Sequence, residues 1–123
     1  MNAASGKLRI AVLFGGRSSE HDVSVMSGTN VMRALDPMKY DAVPVFVTRD
    51  GRWLLSSFEG GELEKPSSGV ELSLLPGGDG RLLAVPDNAA PHEILKIDAI
   101  FPALHGLHGE DGSVQGLAQV AGV

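Results

Sequence analysis

Two glycine-rich stretches hold most of the residues able to do chemistry. The first runs Gly15-Gly16-Arg17-Ser18-Ser19-Glu20-His21-Asp22, the second His105-Gly106-Leu107-His108-Gly109-Glu110-Asp111-Gly112. Together they set Glu20, Asp22, Glu110 and Asp111 against a single cation, Arg17. Such a surface repels a triphosphate and holds an ammonium group through charge-assisted hydrogen bonds, so a small amine-bearing molecule is the ligand it favours. Neither stretch is a nucleotide loop. Gly15-Gly16 is followed by Arg-Ser-Ser-Glu with no third glycine in place, and no Gly-Lys-Ser or Gly-Lys-Thr occurs.

Plainer readings exist for each residue. Acidic groups in a first helical turn complement the macrodipole, which would account for Glu20 and Glu110. Asp22 and Asp111 suit helix caps, and glycines 15, 16, 106, 109 and 112 suit turns with positive φ. A histidine at a strand end, as at His105, can be an orienting or exposed group, and the same holds for His108 and His21. His105, His108, Glu110 and Asp111 include metal-ligating types, but their spacing is not helical and the intervening glycines would fix ligands poorly. No metal site is expected there.

The elements around these stretches repeat one grammar. Leu8 to Phe14 is a nearly unbroken apolar run, the pattern of a strand buried on both faces of a parallel sheet. After the first loop, Val25, Gly28, Met32 and Leu35 form a helical stripe that ends near Asp36-Pro37, with a small residue where the helix can approach the sheet. Ser19 and Asp22 resemble a capping box. Ile97 to Leu104 reads as a second strand, with Pro102 marking where pairing ends. Val114, Leu117, Ala118 and Ala121 then give a second helix, capped by Asp111 or Ser113 and closed by Gly122. Ligands of open α/β sheets collect outside the carboxyl ends of the strands. If these two strands are adjacent, Glu20, His105 and Glu110 face one crevice.

Between the two units, Tyr40 to Thr48 reads as a strand, with Pro44 pointing to an edge position or a bulge. Arg49-Asp50-Gly51 is a turn and Trp53-Leu54-Leu55 pairs back. Ser56 to Gly69 reads as a surface loop, and Val70–Leu75 with Arg81–Val85 as a hairpin decorating the sheet edge. The expectation is a small Rossmann-like α/β domain over residues 1–123. Its sheet is mainly parallel with helices on both faces, and an antiparallel hairpin insertion occupies 49–88.

Bulk properties narrow the function. At 123 residues one domain is expected. Net charge is −5 with no Lys/Arg cluster, which disfavours nucleic acid and acidic membranes as partners. No apolar run approaches the ~18 residues of a membrane span, and the N-terminus lacks a signal-peptide core. The absence of cysteine excludes disulfides, thiolate zinc sites and cysteine nucleophiles, and permits a cytoplasmic location.

In combination the two stretches are specific. Leu13-Phe14-Gly15-Gly16-Arg17-Ser18-Ser19-Glu20-His21-Asp22-Val23-Ser24, followed by Ala103-Leu104-His105-Gly106-Leu107-His108-Gly109-Glu110-Asp111-Gly112-Ser113-Val114-Gln115-Gly116-Leu117, resembles the N-terminal domain of the D-alanine–D-alanine ligase family. The related D-alanine–D-lactate ligases share the pattern. The resemblance covers essentially the whole chain, with Ser56–Asn88 matching only in character. It implies a pre-ATP-grasp domain of a cytoplasmic ligase of peptidoglycan synthesis. In that family ATP phosphorylates one D-alanine and the amine of a second attacks the acyl phosphate. By this resemblance Glu20 engages the ammonium of the first D-alanine, His105 lies beside that substrate, and Glu110 supports His105 through an ion pair. Ser19 and Gly109 complete the substrate contacts. ATP and Mg²⁺ (or Mn²⁺) are expected on domains beyond Val123, so the fragment alone is expected to be inactive, and a homodimer through this domain is implied. The alternatives are a D-alanine–D-lactate ligase and a non-catalytic binding or dimerisation module of the same fold.

Overall fold

The computed structural model describes residues 6–16, 21–66, 69–86 and 90–103. In chain order its elements are β1 (Leu8–Gly15), α1 (His21–Ala34), β2 (Tyr40–Val47), β3 (Trp53–Leu55), β4 (Phe58–Glu59), β5 (Glu62–Leu63), β6 (Glu71–Leu74), β7 (Arg81–Ala84), β8 (His92–Lys96) and β9 (Ala99–Pro102). The apolar run of β1 places it inside the sheet, with Ala11, Val12, Leu13 and Phe14 wholly buried. It pairs in parallel with β2 on one side, from Leu8 opposite Tyr40 to Gly15 opposite Val47. On its other side it pairs in parallel with β9, from Ile10 opposite Ala99 to Leu13 opposite Pro102.

Helix α1 covers the sheet face that carries Phe14. Gly28 makes the contact close: a Cβ there would stand 2.8 Å from the Phe14 Cβ and 3.1 Å from the Leu63 Cδ1. The small residue foreseen on the helical stripe is thus a point of close approach. Phe14, Phe46, Leu54 and Leu63 form the core on this face, with Val25, Met32 and Phe58 packed against them. The Phe14 and Phe46 rings lie 5.4 Å apart, tilted by 55°, a favourable aromatic arrangement.

The parallel strands continue into antiparallel ones, and the sheet order is β8-β7-β6-β3-β2-β1-β9. This order forces curvature. Flat, seven strands would separate β8 from β9 by about 29 Å. Only Ile97 and Asp98 connect these two edges, a link that reaches about 11 Å at full extension. The sheet therefore curls until its edges meet at this corner. Gly80, at φ 97°, makes room there, since a Cβ would fall 2.0 Å from the Ile97 carbonyl oxygen. The Ile97 N–H donates to the Gly80 carbonyl at 2.8 Å. A register shift at Leu82/Leu83 adds to the bend. The enclosed face gathers Ala11, Leu13, Val43, Val45, Leu82 and Ile97, among others, into one apolar cluster.

The α/β class, the parallel core and the antiparallel insertion follow the sequence reading. Several details differ. Strand β2 is interior rather than an edge, and its register with β1 runs without a bulge. Pro44 is tolerated because its missing donor faces the β3 side at a point where β3 has already ended at Leu55. Its carbonyl still accepts the Ser56 N–H at 3.0 Å. The 56–69 segment is more than a surface loop. It contains the β4–β5 hairpin, turned by Gly60 and Gly61 with φ of 62° and 80°, a geometry that suits paired glycines. Leu63 is buried against α1, and the Arg33 Nη2 donates to the Gly61 carbonyl at 2.9 Å. The Val70–Val85 hairpin is part of the main sheet, which β8 then extends. The expected helix over Val114–Ala121 lies outside the described residues, and α1 is the helix seen on the sheet.

Candidate functional site

Strands β1 and β9 are neighbours and run the same way, so their carboxyl ends open on one side of the sheet. This was the condition for the two motif stretches to share a crevice. The first stretch leaves β1 at Gly15 and re-enters described structure at His21, the first residue of α1. The second begins immediately after Ala103, whose N–H donates to the Leu13 carbonyl at 2.8 Å. Glu20 lies five residues past Gly15 and His105 two past Ala103. Ser19, Glu20, His105, Gly109 and Glu110 themselves lie outside the described residues, as do Arg17, His108 and Asp111.

The described residues at the carboxyl ends of β1 and β9 are informative. Gly15 and Gly16 take φ of 96° and 102°, the region that glycine enters without steric penalty, and so turn the chain off the strand. The Gly16 N–H donates to the Val47 carbonyl of β2 at 2.8 Å. The Gly15 N–H donates to the Ser24 Oγ at 2.9 Å. A phosphate cradle needs such amides pointing outward; these two are engaged within the fold.

Ser24 was not singled out from the sequence. It is wholly buried, and its hydroxyl accepts from Gly15 and donates to the Ala103 carbonyl. A buried hydroxyl needs partners, and these come from the last residue of β1 and the residue just past β9. The signal that could have revealed it is positional. Ser24, Gly28 and Met32 fall at i, i+4 and i+8, so a hydroxyl stands on the sheet-facing stripe of the helix.

In the neighbouring turn after β2, Asp50 and Arg52 pair with each other. The Thr48 hydroxyl donates to Asp50, and Arg52 Nε lies 3.1 Å from the same carboxylate. The Thr48 hydrogen bond first, then Arg52, holds the Asp50 carboxyl below the usual carboxylate range. At the opposite end of the sheet, Arg9 Nε pairs with Asp41 at 3.0 Å. There Asp98 accepts the Arg9 N–H at 2.8 Å and donates its own N–H to the Arg9 carbonyl at 2.7 Å.

Comparison with known proteins adds an independent line. The sequence model of the family described as "D-ala D-ala ligase N-terminus" matches residues 9–123. D-alanine--D-alanine ligase A of Brucella suis biovar 1 is 75% identical over 120 residues, covering 98% of this chain and 34% of the relative. The ligase A of Mesorhizobium japonicum is 49% identical over 122 residues, covering 95% of this chain and 34% of the relative. Among solved structures, the D-alanine-D-alanine ligase from Coxiella burnetii superposes with a TM-score of 0.73 at 28% identity, over 94% of this chain and 34% of that one. The VanG D-Ala:D-Ser ligase from Enterococcus faecalis gives 0.75 at 29% identity, over 95% and 34%. The chain thus spans about a third of the length of the relatives it matches. With its motif stretches leaving adjacent parallel strands and the family match running from Arg9 to Val123, the chain belongs to the D-Ala–D-Ala ligase N-terminus family.

Proposed function

We propose that this chain is the substrate-side domain of an ATP-dependent ligase that joins two D-alanines for peptidoglycan synthesis in the cytoplasm. The observation that carries this reading is the parallel adjacency of β1 and β9, which sends both motif stretches out from one end of the sheet. The amine-favouring charge of those stretches supports the same substrate. Glu20 binds the ammonium of the first D-alanine, with Ser19 and Gly109 as further contacts. That contact fixes the amino acid so that its carboxylate can meet the transferred phosphoryl group, a positioning role. His105, held in orientation by Glu110, donates to the substrate carboxylate. The carboxylate becomes an acyl phosphate at the expense of ATP. The amine of the second D-alanine then attacks the acyl carbon, phosphate leaves, and the dipeptide bond forms.

ATP and Mg²⁺ bind to parts of the full-length protein outside this chain, a division supported by the chain spanning about a third of the relatives it matches. Similar superposition on a D-alanine–D-alanine and a D-Ala:D-Ser ligase supports placing the choice of second acceptor outside this domain as well. The same domain supplies a homodimer contact, which sedimentation of the full-length protein would register.

The test is ADP release by the full-length protein with Mg-ATP, with and without D-alanine. D-alanine-dependent release is expected. Its absence would favour a binding or dimerisation module on the same fold. Replacing Glu20 by Gln should raise the KM for D-alanine by on the order of a hundredfold and leave that for ATP near wild type. Equal loss for both substrates would remove Glu20 from the ammonium site.

A further inference from the structure

The hydrogen bonds at the carboxyl ends of β1 and β9 depart from a regular parallel ladder. In such a ladder a residue that donates to one partner accepts from the partner two positions further on. Ala103 donates to Leu13, so its carbonyl would next accept from Gly15. The Gly15 N–H goes instead to the Ser24 Oγ, and the Ser24 hydroxyl donates to the Ala103 carbonyl. Two hydrogen bonds in series, through a side chain of α1, stand where one ladder bond would be. At this position Gly15 and Ala103 are bridged by the hydroxyl.

We infer that Ser24 is a positioning residue for the ligand end of the sheet: its interposed hydroxyl fixes Gly15 relative to Ala103, the two points from which the stretches that carry Glu20 and His105 depart. The inference rests on the ligase reading for the identity of the substrate. Its geometric part does not. Ser24 is wholly buried and its hydroxyl serves as both acceptor and donor. Three chain segments meet at that one group: the end of β1, the start of α1 and the exit from β9. Glu20 lies between the first two and His105 just beyond the third. A shift of either loop relative to the other would misplace the bound amino acid without touching the nucleotide.

The experiment uses the full-length protein with Ser24→Ala, Ser24→Val and Ser24→Thr. Threonine keeps the hydroxyl, and valine has nearly the same shape without it, so this pair separates the hydrogen bonds from the added methyl. Ser24→Ala and Ser24→Val are expected to raise the KM for D-alanine about tenfold or more, with the KM for ATP unchanged and Ser24→Thr closer to wild type. Wild-type kinetics in Ser24→Ala, or equal impairment of Ser24→Thr and Ser24→Val, would overturn the inference. A second readout needs no substrate. In Ser24→Ala, hydrogen exchange at the Gly15 amide should accelerate about tenfold while the Val12 and Phe14 amides, which face β2, stay protected. Loss of protection along all of β1 would reduce Ser24 to a general stability contact and overturn the inference. If wild type itself released no ADP in response to D-alanine, the ligase reading would fall with the substrate part of the inference. Gly15 exchange would still decide whether the hydroxyl bridges Gly15 and Ala103.

Discussion

The two ends of β1 are built from different materials. At the amino end, Arg9 is pinned on both sides. Its guanidinium reaches Asp41 of β2 and the Lys96 carbonyl, and its backbone exchanges hydrogen bonds with Asp98. At the carboxyl end no ion pair joins the strands among the described residues. Two glycines at positive φ turn the chain away, and a buried serine stands in for a ladder bond. The amino end is stapled shut by charge, the carboxyl end bridged by a neutral hydroxyl. A stapled end needs only to hold. An open end must leave room for a ligand while keeping the two loops in fixed relation. The division follows the general placement of ligand sites outside the carboxyl ends of such sheets.

If this contrast is correct, substitutions at the two ends should separate activity from stability. The largest effect on activity is expected at the open end. His105→Gln in the full-length protein should lower kcat on the order of a hundredfold with little change in melting temperature. Wild-type turnover would mean that the second stretch serves structure alone. Next comes the helix that closes this end. Gly28→Ala should destabilise the fold by about 1–3 kcal/mol, read as a lower urea midpoint, because the new methyl meets Phe14. The helix-propensity gain of up to about 1 kcal/mol offsets part of this. Met26→Ala on the exposed side of the same helix is the control and should shift stability by less than about 0.5 kcal/mol. At the stapled end, Asp98→Ala strips the Arg9 N–H of its carboxylate partner. It should destabilise by about 1–3 kcal/mol and leave the KM for D-alanine unchanged. A rise in that KM would break the contrast. Arg9→Met removes a partly exposed ion pair and should lose about 1 kcal/mol or less.

How much of this was readable without coordinates varies along the chain. Strands β1 and β2 and helix α1 announce themselves, because an unbroken apolar run and an i, i+3, i+7 stripe each have one physical outcome. Strand β8 does not. His92-Glu93-Ile94-Leu95-Lys96 is almost wholly exposed and shows no alternation, so its pairing with β7 is set by the Gly80–Ile97 corner. The β4–β5 hairpin hid for a similar reason, since two-residue strands leave no period to detect. In the crevice, the charge and glycine content of the two stretches carried the functional reading, and the adjacency of β1 and β9 follows from pairing across 89 residues of chain. Ser24 could not be read because its meaning is tertiary. A serine in a helix is unremarkable until its partners, 9 and 79 residues away, are seen to be the two strand ends.

The smallest expected effect tests how far the open end extends. Thr48 follows β2, directly beside the Gly16–Val47 hydrogen bond, and its hydroxyl is the chief reason that the Asp50 carboxyl titrates below its ordinary range. A carboxyl whose folded pKa lies below its unfolded one adds stability at neutral pH, and that contribution fades as pH falls through the folded value. Asp50 is fully exposed, so solvent screens most of the benefit. Thr48→Val should therefore move the Asp50 titration, followed by NMR at its carboxyl carbon, up toward the ordinary value and barely alter stability at pH 7. The KM for D-alanine should not change, because the Asp50 carboxylate is engaged by Thr48 and Arg52 of its own turn. If that KM rises, the turn belongs to the crevice, and the open end spans all three parallel strands rather than β1 and β9 alone.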